Sequence, residues 1–158
     1  MGGNVQNAPM HGGLRLRPAT LDDVDVLFAI HRAAMREYAS QAFGPWDDAW
    51  QEAFFRDHFD LEVREVVLVD EKMAGFFDVI DKGDHLFVSE LVIAPGEQRR
   101  GIGTELLRRT QVEAGGRRLP VRLQVLKINP AKALYERLGF AVWGELERHW
   151  QMEWRMTE

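Results

Sequence analysis

The chain has 158 residues, no cysteine and a formal net charge of −5, with 46% hydrophobic and 28% charged residues. This length suits one compact domain, and the lack of thiols excludes a disulfide framework, a thiolate metal site and a cysteine nucleophile. The acidic balance argues against a nucleic-acid partner. No apolar run approaches the ~20 residues that cross a bilayer, which argues against a membrane partner.

The first 13 residues, MGGNVQNAPMHGG, lack the apolar stretch of a secretory signal. We therefore expect a disordered N-terminal tail over residues 1–13, a single domain over residues 14–158 and a cytoplasmic location.

The first third of the chain predicts one strand and two helices. Residues 14–20 alternate briefly and indicate a strand. Thr20 and Asp23 have the spacing of a capping box, and apolar positions at helical spacing continue to about Tyr38. A second helix, rich in aromatic side chains, is predicted over residues 47–59.

The middle of the chain predicts a hairpin, a long strand and a helix. Two β-rich runs are joined by a tight turn at 70–72. The run LFVSELVIAP indicates a strand that Pro95 ends. A helix over residues 101–114 should stop at the glycine pair Gly115–Gly116.

The last third predicts a strand, a short helix and two closing strands. In NPAKALYERLGF, Asn129 is the predicted N-cap, Pro130 the first helical residue and Gly139 the residue after the end. The complete order is β-α-α-β-β-β-α-β-α-β-β. It predicts an α/β fold with a central mixed sheet and helices on both faces.

The stretch GEQRRGIGTELL joins the long strand to its helix. A glycine-rich turn at a helix start presents unpaired N–H groups in the positive end of the helix dipole, which favours phosphate. Gly101 and Gly103 let the backbone approach an anion, and Arg99 and Arg100 add charged contacts.

Two familiar phosphate loops do not match this stretch. A Walker loop requires Lys and then Ser or Thr after its second glycine, and here Ile102 and Gly103 follow. A Rossmann fingerprint requires glycine where Leu106 stands. A nucleotide-binding protein of either kind is therefore disfavoured.

Three motifs together resemble the GNAT superfamily of acetyl-CoA-dependent N-acyltransferases. QRRGIG (98–103) resembles its Q/R-x-x-G-x-G/A loop, ELVIAP its fourth strand, and NPAKALYERLGF its late Asn-x-x-A-x-x-x-Tyr-x-x-x-Gly-Phe segment. The resemblance is strongest from about Leu86 to Phe140. It implies a central mixed, mostly antiparallel sheet flanked by helices on both faces.

The resemblance also implies acetyl-CoA as co-substrate, with its pyrophosphate on the loop and its pantetheine arm along the backbone of the fourth strand. Asn129 matches a position that contacts this arm, and its role as a helix N-cap is equally good. The residues assigned to the cofactor are Leu91, Val92, Ile93, Gln98, Arg99, Arg100, Gly101, Ile102, Gly103, Thr104 and Asn129.

The implied chemistry is direct attack of an amine on a thioester, without an acyl-enzyme. Tyr135 matches the family's tyrosine general acid, and the alternative is a packing tyrosine. Glu90 is the candidate general base. Alternation places it on a strand face with Val88 and Val92, where a lone carboxylate should have a raised pKa. The alternative is a wet or hydrogen-bonded glutamate at a strand edge.

The remaining candidate residues are histidines and aromatics. His31 lies on the apolar face of the first helix and is expected to be a core histidine, and His149 is a weaker candidate near a strand end. The five histidines show no ligand spacing, so no metal is expected. Core positions are expected for most of the aromatic residues near the second helix, with an aromatic lip for the acceptor as the alternative. These residues are Phe43, Trp46, Trp50, Phe54 and Phe55.

The sequence therefore predicts an acyltransferase that moves an acetyl group from acetyl-CoA to a primary amine, either a small molecule or a peptide. The alternative is a non-catalytic acyl-CoA-binding or sensing module of the same fold. The apolar segment HWQMEW permits a homodimer through the late strands. The motifs leave the acceptor and the length of the acyl chain open.

Overall fold

The computed structural model describes residues 13–157, so residues 1–12 of the predicted tail lie outside the described part. The strands are β1 (Leu14–Pro18), β2 (Arg64–Val69), β3 (Lys72–Asp81), β4 (Leu86–Ile93), β5 (Val121–Leu126), β6 (Ala141–Glu145) and β7 (His149–Trp154). The α-helices are α1 (Val24–Phe43), α2 (Asp48–Asp57), α3 (Ile102–Gly116) and α4 (Ala131–Arg137).

The order of these elements along the chain is the one that the sequence predicts. The strands form one hydrogen-bonded sheet in the order β1-β2-β3-β4-β5-β7-β6. The pairs β1–β2, β2–β3, β5–β7 and β6–β7 are antiparallel, and β4 runs parallel to β5 over Leu86–Val88. The predicted mixed, mostly antiparallel sheet is confirmed.

The chain divides into two compact units, and the first holds the residues up to Asp78 together with Glu90–Ile102. Helices α1 and α2 bury apolar side chains against strands β2, β3 and β4, which supplies the main stabilisation of this unit. Five consecutive residues of β3, Ala74–Asp78, are buried, so both faces of this strand are covered. The core residues include Leu27, Phe28, Ile30, Phe55, Val66, Phe76 and Val92.

The second unit holds Val79–Ser89 and the chain from Gly103 onward. Its helix α3 buries Leu106, Leu107 and Ala114, which is the apolar face that helical spacing predicts. Thr110 on the same face donates its hydroxyl to the Leu106 carbonyl at 3.0 Å. A buried hydroxyl on this face is therefore satisfied within the helix.

Two helices run a few residues further than predicted. Helix α1 continues past Tyr38 to Phe43, and Gly44 with φ +100 ends it, within the segment FGPW that the sequence predicts to break this helix. Helix α3 runs through the glycine pair to Gly116, because a glycine tolerates helical angles as well as left-handed ones. The left-handed residue that follows is Arg118, with φ +57.

The predicted turn and cap positions lie close to where the sequence places them. Asp70 and Glu71 have φ of 50° and 67°, as a tight hairpin turn requires. The Asn129 side chain accepts from the Ala131 N–H at 2.9 Å, so it caps α4, although the helix begins one residue later than predicted. Gly139, with φ +94, follows the end of this helix.

Candidate functional site

The loop between β4 and α3 has the backbone of an anion-binding turn. Arg99 and Gly101 both adopt left-handed angles, with φ of 65° and 80°, a conformation that turns neighbouring N–H groups towards a common point. The first turn of α3 begins directly afterwards at Ile102. The exposed side chain of Gln98 donates to the Ile93 carbonyl at 2.9 Å, which ties the loop to the end of β4.

The side chains of this loop fit a phosphate-bearing ligand. Arg99 and Arg100 are exposed, and Arg100 forms an ion pair with Glu97. No heavy atom lies within 4 Å of the Cβ position of Gly101, so the space beside this backbone is open. Glycine is required here by its positive φ. Open space, the N–H groups at a helix start and two cationic side chains are what coenzyme A phosphates would need.

The end of β4 approaches β3 unusually closely. A Cβ at Gly75 would lie 2.1 Å from the Val92 carbonyl oxygen and 3.1 Å from the Ile93 Cα. The Ala94 N–H also donates to the Ala74 carbonyl at 2.7 Å. Residues 91–93, the predicted pantetheine-binding stretch, therefore follow a path that depends on glycine at position 75.

Glu90 lies on β4, partly shielded from solvent. The pKa of its carboxyl is raised to about 7, mainly by burial and also by the Asp78 carboxylate, while the Arg64 guanidinium opposes both. The predicted upward direction of this pKa is confirmed. A carboxyl that titrates near neutral pH suits a group that must accept a proton from an amine.

Arg64 and Asp78 form a buried ion pair that the sequence analysis missed. They are cross-strand partners on β2 and β3, and each side chain is 6% exposed. The Arg64 Nε and Nη2 atoms donate to the Asp78 carboxylate at 3.0 and 2.8 Å. The signal available in the sequence was an arginine at the start of one strongly apolar strand run and an aspartate within the next one.

The Arg64 guanidinium is also enclosed by aromatic rings. Its central carbon lies 4.2 Å from the ring centre of Phe76, 4.9 Å from that of Phe59 and 5.1 Å from that of Phe55. Its Nη1 atom is buried and finds no hydrogen-bond partner among the described residues. The pair is therefore held firmly in place, with one donor left over.

His31 packs against the aromatic rings of the core, as predicted, but the described residues do not satisfy its hydrogen bonding as expected. Its ring centre lies 5.4 Å from that of Phe55 and 6.0 Å from that of Trp46. Its Nδ1 atom is buried and has no partner within the described part of the chain. Burial, together with the charge of Arg64, lowers the pKa of His31 to about 4.

This histidine should make the protein acid-sensitive. In the folded state His31 stays neutral well below its ordinary pKa of 6.5. The unfolded chain therefore binds more protons, and the free energy of unfolding falls as the pH drops from about 6.5 towards 4. We expect His31→Gln to reduce this fall in urea unfolding measured across that range. The exposed His58, changed to Gln, is the control, and equal slopes for His31→Gln and wild type would contradict the prediction.

Two predicted site residues, Tyr135 and Asn129, belong to the second unit. Tyr135 is half-buried on α4, and its ring contacts that of Phe140 edge-on, with centres 6.0 Å apart. This contact fits the packing alternative. Gly103 and Thr104 also belong to this unit, in the first turn of α3.

The aromatic residues near α2 correct one expectation. Phe55 is buried and Trp46 packs against the core, but three others, expected in the core, are 47–60% exposed. Helix α2 turns two of them outward, because its face centred on Phe55 packs against the core, and the third is the last residue of α1. Trp50 and Phe54 stack with ring centres 5.2 Å apart. The three exposed aromatics are Phe43, Trp50 and Phe54.

Within residues 13–157 there is no group of three His, Asp or Glu side chains that could hold a metal ion. None of the helices in that range is long and apolar enough to cross a membrane.

A comparison with family models decides the family. The model described as "Acetyltransferase (GNAT) domain" matches residues 60–142, more than half of the chain. The chain belongs to the GNAT acetyltransferase family. The matched region of this GNAT chain contains Glu90, the loop at 98–104 and Tyr135. No curated protein sequence matches the chain.

Solved structures support the GNAT fold. The PaiA N-acetyltransferase of Thermoplasma acidophilum, in complex with coenzyme A, has a TM-score of 0.71 at 18% identity, over 90% of this chain and 99% of that one. PH1933 of Pyrococcus horikoshii has a TM-score of 0.71 at 19% identity, over 92% and 99%. The ribosomal-protein-S18-alanine N-acetyltransferase of Escherichia coli has a TM-score of 0.65 at 23% identity, over 92% and 95%. At such identities the likeness concerns the fold alone.

Proposed function

We propose that this GNAT protein transfers an acetyl group from acetyl-CoA to a primary amine, by direct attack within a ternary complex. The observation that carries the proposal is Glu90, a partly buried carboxyl with a pKa of about 7. It lies in the same unit as the anion-binding loop and on the strand that leads to it. A general base works best when its pKa lies near the operating pH.

Coenzyme A would be held by backbone groups more than by side chains. The loop from Gln98 to Gly101 and the first turn of α3, with Ile102, Gly103 and Thr104, offer N–H groups to its phosphates. Residues 91–93 offer main-chain groups to its pantetheine arm, and Asn129 adds an amide. The bound thioester supplies the acetyl group and a thiolate leaving group.

Each of the two proposed catalytic residues transfers one proton. Glu90 accepts the proton that an ammonium group must lose before its nitrogen can attack. As the C–N bond forms, a backbone N–H near the end of β4 stabilises the oxyanion. As the C–S bond breaks, the Tyr135 hydroxyl donates its proton to the sulfur. The nitrogen, which is positively charged after the attack, loses its second proton to water. Glu90 then gives its proton to solvent, the Tyr135 phenolate takes one from solvent, and the products are an amide, the free thiol and one released proton.

The acceptor is proposed as a small-molecule or peptide amine in the cytoplasm, with no nucleic-acid or membrane partner. The net charge of −5 favours a cationic acceptor through long-range attraction. The similar protein from Escherichia coli is named for the alanine of a ribosomal protein, so peptides with a free N-terminus belong among the candidates. A homodimer through the β7 segment is proposed as well, to be checked by sedimentation.

The first test measures cofactor binding by thermal unfolding, with ATP and NAD as controls. A ligand that binds only the folded state stabilises it by about 2.7 kcal/mol at ~100 times its Kd. We expect this rise with acetyl-CoA alone. Gly101→Val should abolish it, since a β-branched residue resists φ +80. Gly96→Ala in the same segment is the control, because nothing lies within 4 Å of its Cβ position.

The second test measures thiol release on a panel of amines. The panel holds a polyamine, an amino acid, an aminoglycoside and peptides with a free N-terminus or a lysine. Thiol release that depends on one amine supports the proposal, and Tyr135→Phe should slow it. Binding of acetyl-CoA without turnover on the whole panel would favour the acyl-CoA-sensing module instead. No binding of acetyl-CoA at all would overturn both the acetyltransferase proposal and the sensing alternative, because both require this loop to bind the cofactor.

A further inference from the structure

The buried ion pair of the first unit has no role in the function proposed so far. Arg64 and Asp78 are both 6% exposed at the side chain and belong to neighbouring strands, β2 and β3. Glu90 lies on β4, the next strand of the sheet. The three charged groups thus occupy three adjacent strands. Isolated charges in such a place are costly, and they are retained only when paired or functional.

The contacts of the Arg64–Asp78 pair hold its two charges in fixed positions. Asp78 accepts from two nitrogen atoms of Arg64, and three aromatic rings enclose the guanidinium. Burial raises the pKa of Asp78, and the hydrogen bonds and charge of Arg64 oppose this shift. Fixed charges that are shielded from water act through a low dielectric, where their effect on a titratable group of the adjacent strand is large.

We propose that the Arg64–Asp78 pair is a positioning pair that sets the charge state of Glu90, and through it the pH at which acetyl transfer begins. The proposal rests on the base role proposed for Glu90. Asp78 disfavours the carboxylate form of Glu90, and Arg64 favours it. The pair therefore acts on the base without touching the substrate.

The other charged groups of this region act one step further out. The charge of Arg64 lowers the pKa of His31 on α1, and the charge of Asp60, which precedes β2, raises the pKa of Asp78. The groups that act directly on Glu90 are Asp78 and Arg64. A change at Asp78 should therefore reach Glu90, while a change at the exposed Asp60 should not.

The experiment follows the Glu90 side-chain carboxyl carbon by NMR titration of the free protein, with Glu90→Gln to assign the signal. Asp78→Asn keeps the shape and removes the charge, so the midpoint of Glu90 should fall by about 1 pH unit. The double variant Arg64→Gln with Asp78→Asn removes both charges. Its midpoint should lie between those of Asp78→Asn and wild type, because Asp78 has the larger effect of the two. Asp60→Asn should leave the midpoint in place.

If the Arg64–Asp78 pair had only a structural role, the Glu90 midpoints of the variants would not follow this order. An unchanged or raised midpoint in Asp78→Asn would overturn the proposal, as would a double variant below Asp78→Asn. If Asp78→Asn alone does not fold, the double variant carries the test, because a neutral pair of similar shape is tolerated better than a lone buried cation. Its midpoint must then lie below that of wild type, and an unchanged midpoint overturns the proposal.

The same variants separate this proposal from the proposed function. With an active amine, the acid limb of the pH profile of kcat/KM should move with the NMR midpoint. If the NMR midpoint of Glu90 falls in Asp78→Asn while the pH profile of kcat/KM is unchanged, the pair sets the charge of Glu90 but Glu90 is not the base. The base role in the proposed function then falls, and the link to acetyl transfer falls with it.

Discussion

Replacing Glu90 by glutamine should lower kcat/KM for the amine by about 10²–10⁴-fold, the usual contribution of a positioned general base. The amide keeps the size of the side chain but cannot accept the proton. The affinity for acetyl-CoA should stay unchanged, because none of the proposed coenzyme A contacts uses this carboxyl. Steady-state rates and calorimetric binding on the same samples separate the two effects.

The same variant should be more stable than wild type at pH 8. The pKa of Glu90 is raised to about 7 in the folded state from an ordinary 4.5. The folded state thus binds the proton more tightly, and wild type loses stability as the pH rises from 4.5 through 7. Glutamine removes this loss, so urea unfolding at pH 8 should show a gain.

A matched control for both effects is Glu62→Gln, which changes an exposed carboxylate of the same unit. It should alter neither the rate nor the stability by a measurable amount. A Glu90→Gln enzyme with an unchanged kcat/KM would remove Glu90 from the mechanism. The base would then be water or another group.

Replacing Gly75 by alanine should destabilise the protein by about 2 kcal/mol or more, at the upper end of what overpacking costs. The added Cβ would lie 2.1 Å from the Val92 carbonyl oxygen. This obstacle is backbone inside a sheet, which cannot rotate away as a flexible side chain does. Either β3 or the end of β4 must move, and urea unfolding measures the cost.

The movement should also affect the proposed cofactor strand. If residues 91–93 shift by ~1 Å, acetyl-CoA binding and kcat should both fall, since small misplacements in a reacting complex can cost ~100-fold. The control is Gly96→Ala, at a glycine with open space around its Cβ position and no positive φ. A folded Gly75→Ala protein with normal stability and normal acetyl-CoA affinity would contradict the prediction.

Most of the fold was predictable because its signals are local. The order of strands and helices follows from the period of the apolar residues, which reports the face that each element buries. The hairpin turn at Asp70 and the cap at Asn129 follow from the conformations that a few neighbouring residues allow. The ends of α1 and α3 were less predictable, because a helix continues until something stops it and glycine is only a weak stop.

The candidate site was predictable only in part. The loop at Gln98–Gly103 was predictable from the sequence, because a phosphate-binding loop is made from backbone groups that are consecutive in the chain. The exposure of Trp50 and Phe54 was not predictable from aromatic content alone. Helix α2 is apolar on two sides, and only its docking against α1 and the sheet selects the face with Phe55 as the buried one.

By itself the sequence determined the elements, their order, the anion-binding loop and the position of Glu90 on a strand face, all of which depend on residues close in the chain. The sequence also predicted the direction of the Glu90 pKa shift, whose main cause is burial. Only the tertiary structure decided that Asp78 and Arg64 act on this carboxyl, because they come from two other strands and reach it only when the sheet has formed. It alone decided that Gly75 must stay a glycine, because the Val92 carbonyl meets it only across the sheet. Coulomb forces and steric contacts act through space, and the fold determines which residues are near one another.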